Sequence, residues 1–176
     1  MDEILGKRTD KAVSRQIKEI LTSEPEVRGA YDLILYNYRS NQDLASVHIE
    51  LPDTMNVKDV DRLTRNVEAK IYEQTGIILA GVGVYSYNTE DSEAARMQNE
   101  VREKVLAYDL ALQFHCFYVD IAAKEMRFDV VMSFDIKPQE GLRILYEDMK
   151  NPTRNTRSTS YRTWTFPIKF CQIIFD

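Results

Sequence analysis

Two stretches of this chain, Lys11–Tyr87 and Ser92–Phe175, run through the same order of hydrophobic patterns: helix, strand, strand, helix, strand. That repetition constrains the fold more than any single motif. Each copy is too long for a solenoid repeat and long enough to bury a small core, so it predicts a duplicated domain. In the first copy Val13, Ile17, Ile20 and Leu21 share one helical stripe, with Asp10 placed as cap and Pro25 barring continuation. Ala30–Tyr38 and Leu44–Leu51 read as a hairpin. In its second strand Val47, Ile49 and Leu51 alternate with Ser46, His48 and Glu50, which face an open side. Asn56 caps a longer helix carrying Val57, Val60, Leu63, Val67 and Ile71, and Gly76 stops it before a strand over Ile77–Tyr87.

The second copy starts at Ser92, with Ala94, Met97, Val101 and Val105 as a helical stripe. Leu112–Asp120 and Glu125–Asp135 make its hairpin, and Pro138 opens a helix with Leu142, Leu145, Tyr146 and Met149. A polar segment, Asn151–Arg162, leads to a last strand over Thr163–Asp176, where Pro167 predicts a sheet edge. Its Arg154, Arg157 and Arg162 could touch a membrane surface, but a connector is the simpler reading. The expectation is an α+β protein of two ferredoxin-like halves, residues 1–88 and 89–176, each an antiparallel sheet with helices on one face.

Composition narrows the function. With 44% hydrophobic residues, 6 Gly and 5 Pro, the chain has the apolar material for a core and no disordered bias. A net charge of −5 is finely mixed, and no basic stripe is present to neutralise a phosphate backbone, so nucleic acid is not an expected partner. Cys116 and Cys171 are too few for a disulfide framework and fit a reducing compartment as small core residues. No stretch reaches the ~20 apolar residues of a membrane helix, and Met1–Arg8 lacks the apolar core of a secretory signal. No Ser or Cys stands beside His48 or His115 in a triad-like spacing, and no Gly-rich phosphate loop occurs, so no enzymatic activity is expected.

Glu26-Val27-Arg28-Gly29-Ala30-Tyr31-Asp32-Leu33 followed by Ser46-Val47-His48-Ile49-Glu50 resembles the cytoplasmic domain of cation diffusion facilitator transporters. Ile4-Leu5-Gly6 resembles the junction after their last membrane helix. Thr75–Leu79 and Val84–Asn88 resemble members that carry the domain twice. The resemblance runs from Ile4 to about Tyr146 and weakens after Lys150. It implies a metallochaperone-like fold, pairing into a homodimer, and a regulatory role on the cytoplasmic face beside the transporter's membrane domain. In this family the paired domains often bind the transported divalent metal. The membrane helices that carry the ion are not in this chain, so transport is not among its own activities.

Carried over position by position, the resemblance places His48 at the family's histidine on the second strand and Asp61 where some members have another. Tyr31, Tyr85 and Tyr87 stand where metal-binding members often have His or Asp, and phenols with a pKa near ~10 are poor zinc ligands at neutral pH. Laying one half on the other puts His115 at the Tyr31 position and Asp129 at the His48 position. The metal candidates are therefore His115 with Asp129, and His48 with Asp61 as a second set. The first pair suits zinc, manganese or iron(II), with completion by Asp135, Glu140, Asp176 or a second chain. Cys116 is excluded, because neighbours on a strand point to opposite faces and only a bulge would let both bind one ion. Two alternatives stay open: a metal-independent dimerisation module, and a small-molecule regulatory domain of the ACT type.

Overall fold

The computed structural model describes residues 11–39, 42–150 and 168–171. These form two compact units, 11–39 with 42–87, and 88–150 with 168–171. Asp10, Asp176, Pro167 and the Asn151–Arg162 segment lie outside the described residues.

The first unit runs α1 (Lys11–Thr22), β1 (Gly29–Arg39), β2 (Gln42–Pro52), α2 (Val57–Thr75) and β3 (Ile78–Tyr87). Helix α1 buries Ile17, Ile20 and Leu21 along the stripe its spacing dictates. At the start of α2 the Asn56 side chain accepts the Asp59 amide at 3.0 Å, satisfying a donor that has no partner within the helix. At its end Gly76 takes φ 72°, a left-handed stop that costs glycine little. Between these caps Leu63, Val67 and Ile71 pack with Val47, Ile49 and Leu51 of β2 and with Ile17 and Leu21 of α1. The helices thus cover one sheet face, and Ser46, His48 and Glu50 project from the other.

The strand order is β1-β2-β3. β1 pairs with β2 antiparallel, but β3 lies parallel to β2. The sheet is therefore mixed, not wholly antiparallel as the hairpin pattern suggests. The reason lies in α2, which carries the chain back along the sheet before β3 begins, and a helical crossover delivers the next strand in the same direction.

The second unit repeats this plan: α3 (Glu93–Leu106), β4 (Ala111–Asp120), β5 (Glu125–Met132), α4 (Pro138–Lys150) and β6 (Ile168–Cys171). Its order is β4-β5-β6, again antiparallel then parallel, with β6 at the edge. Ser92 caps α3 by accepting the Ala95 amide at 3.1 Å. Met97, Val101 and Val105 of α3 join Phe114, Phe117, Met126, Phe128 and Val130 of the hairpin and Leu145 and Met149 of α4 in a separate core. The register makes the duplication concrete. Tyr31 pairs with His48 in the first unit, and His115 pairs with Asp129 in the second.

Ile71 is fully buried, so Ile71→Ala should remove about 3 kcal/mol from the first unit. Asn56→Ala should remove about 1 kcal/mol, the worth of one cap. Urea unfolding followed by amide exchange in α2 and β2 measures both.

Candidate metal centre

A strand normally sends neighbouring side chains to opposite faces. In both units the first strand departs from that rule at the same place. The β1–β2 register shifts between Tyr31 and Ile34, and the β4–β5 register shifts between His115 and Tyr118. Each shift contains one non-glycine residue at positive φ, Asp32 at 50° and Cys116 at 60°. An extra residue inserted into one strand bends it and re-aims a side chain. Left-handed backbone at a residue other than glycine costs of order 1–3 kcal/mol, and such outliers cluster at functional sites.

In the second unit the bulge brings the Cys116 thiol to the histidine beside it, with His115 Nδ1 and Cys116 Sγ 2.8 Å apart. His115 and Asp129 face one another across the ladder. One ligand atom from each of His115, Cys116 and Asp129 falls within a common 4.8 Å. His115 is 2% and Asp129 7% exposed, and Cys116 is half-buried. The exclusion of Cys116 on strand alternation is therefore overturned: the bulge required for both residues to share a site is present. Of the residues expected to complete the pair, Asp135 instead accepts the Ser133 hydroxyl at 2.6 Å, and Glu140 is an exposed residue in the first turn of α4.

The first unit uses the equivalent positions differently. Its bulge residue, Asp32, receives the Tyr85 hydroxyl at 3.3 Å and lies 3.3 Å from His48 Nδ1, without the angle of a hydrogen bond. The His48 ring stacks on Tyr85 with centroids 4.6 Å apart. Gly83 makes this possible, since any Cβ there would collide with the imidazole. Alongside, buried Glu50 accepts the Tyr31 hydroxyl at 3.4 Å and lies 3.8 Å from Arg28 Nε, and the Arg28 guanidinium covers the Tyr87 ring at 4.9 Å. On the open face, then, both carboxylates accept from phenols, and Glu50 also lies beside a guanidinium.

His48 and Asp61 are not brought together. His48 projects from the open face, whereas Asp61 stands exposed on α2, which packs against the other face. Both carboxylate oxygens of Asp61 accept from Arg65 Nε, at 3.0 and 3.1 Å, one helical turn away. Hydrogen bonding first, and charge second, raise the Arg65 guanidinium above its ordinary value.

The family model described as the cation efflux protein cytoplasmic domain matches residues 9–79. The first unit belongs to that family. The match ends before the second unit, which is tied to the first by topology and register. Solved structures of the MamM CTD are similar to part of the chain. The copper form of one variant is 20% identical over 46% of this chain and 98% of that one, with a TM-score of 0.37. A nickel form is 20% identical over 46% and 99%, with a TM-score of 0.38. A cadmium form is 20% identical over 45% and 96%, with a TM-score of 0.37. No curated protein sequence matches the chain. Both units are α+β, and among the described residues no helix is long and apolar enough to cross a membrane.

Gly83→Ala should expel His48 from its stack on Tyr85 and cost the first unit about 2 kcal/mol. The loss of ring-current shifts on the His48 protons, measured by NMR, separates this from a general loss of order.

Proposed function

We propose that this chain is the cytoplasmic regulatory and dimerisation region of a divalent-cation efflux transporter, and that its second unit senses the cation through His115, Cys116 and Asp129. The observation that carries the reading is the convergence of three chemically different ligand atoms within 4.8 Å. An imidazole, a thiolate and a carboxylate fit a tetrahedral divalent ion with a fourth position left for water or another donor. The thiolate turns the preference from manganese toward zinc, since soft sulfur ligands favour the later and softer metals. Binding would tie β4 to β5 across the bulge and would release the thiol proton, making affinity rise with pH.

The first unit supports the dimerisation half of the proposal. The family's model is named for a dimer. Ile34, Tyr36 and Tyr38 recur at alternate positions of β1 and are 49%, 48% and 60% exposed, a row of apolar area available to a second copy. Glu50, the buried carboxylate of the open face, is engaged by Tyr31 and Arg28. We therefore assign this unit a metal-independent joint and the second unit the metal response, with no catalytic step in either. The transporter's own membrane domain is the other expected partner, at the cytoplasmic face.

Zinc titration by calorimetry should show one site per chain. His115→Ala, Cys116→Ser and Asp129→Ala should each weaken it about tenfold or more. Zinc at about a hundred times its Kd should add about 2.7 kcal/mol to the stability of the second unit. Cys116→Ser should weaken zinc far more than manganese. Variants that titrate like the wild type would overturn the sensor. A dimer that persists in sedimentation with and without zinc would then leave a metal-indifferent joint as the function.

A further inference from the structure

The duplication exposes a difference between the two cores. In α2 the buried stripe is Leu63, Val67 and Ile71. In α4 the buried positions with the same spacing are Gly141, Leu145 and Met149. Counted from the helix starts at Val57 and Pro138, Gly141 stands where α2 has Val60, which packs against the core of the first unit. At that place the second unit holds a cavity of about 240 Å³, walled by Leu110, Met132, Ile136, Gly141 and Leu145.

Its walls are pinned. The turn after α3 is closed by the Ala111 amide on the Tyr108 carbonyl at 2.9 Å and tied to the end of β5 by the Ser133 amide on the Leu110 carbonyl at 2.8 Å. The first turn of α4 is closed by the Gly141 amide on the Lys137 carbonyl at 3.0 Å. Backbone held on three sides does not relax to fill a void, so the space persists. Apolar cavities of about 150 Å³ stay dry and take up benzene. This one is larger and opens to solvent beside Asp109, an exposed carboxylate on its lining.

We propose that this cavity is a binding site for a small apolar molecule, about one aromatic ring or one branched aliphatic chain in size, with room for a single cationic group at Asp109. Filling it would brace α4 against the end of β5. The site is independent of the metal reading, since none of its lining residues is a proposed ligand.

Toluene and benzylamine serve as probes on the full chain, with the Met132 methyl resonance and thermal shift as readouts. Both probes should move the Met132 signal and raise Tm in the wild type and in Gly141→Ala, which adds helix propensity but leaves the space. Gly141→Leu, which puts a side chain into the space, should have a higher Tm without probe and respond to neither. Asp109→Asn should weaken benzylamine about threefold, the scale of one exposed ion pair, and leave toluene unchanged. Wild-type Met132 signals indifferent to both probes would overturn the proposal, a result that stands whether or not the leucine variant folds. Equal responses from wild type and a folded Gly141→Leu would overturn it as well.

Discussion

The bulge in the first strand of each unit is the constraint on which the site depends. A three-stranded sheet with helices on one face leaves the other face with no covering layer of its own, and strict alternation would give that face one side chain in two. By inserting Asp32 or Cys116 in left-handed backbone, each unit adds one more functional group to the open face beside the cross-strand pair. The strain of those conformations recurs at equivalent positions in the two units. Recurrence of that kind speaks for a retained device.

What the device holds differs between the copies. In the first unit the bulge presents a carboxylate, and its surroundings are a phenol, a stacked imidazole and, one pair along, a guanidinium on a second carboxylate. Charge there is met by protein donors. In the second unit the bulge presents a thiol between a buried imidazole and a buried carboxylate, a set that suits a cation. Duplication permits the two copies to diverge in what the bulge holds. The same freedom shows in the helices, where one copy packs Val60 against its core and the other has Gly141.

Much of this was readable along the chain. The stripe of α2 and both its caps follow from Asn56, Gly76 and the three- and four-residue spacing between them, because helix period and capping are local properties. The facing of His115 and Asp129 could be read by laying one half on the other, since register follows from hydrophobic alternation. The adjacency of His48 and Asp61 could not be judged that way. They sit on opposite sides of a sheet, and a residue-by-residue resemblance carries no information about which face a helix covers.

The amino-acid order alone determined the two αββαβ cores, their buried stripes and their helix ends, because period, caps and turns depend on neighbours a few residues away. Only the tertiary structure decided that β3 and β6 run parallel to the strands beside them, that Cys116 joins His115 and Asp129, and that Gly141 leaves a space. Each of these depends on how distant segments meet. A crossover sets strand direction, a shift in cross-strand pairing makes a bulge, and the packing of a helix on a sheet decides whether a missing side chain leaves a cavity.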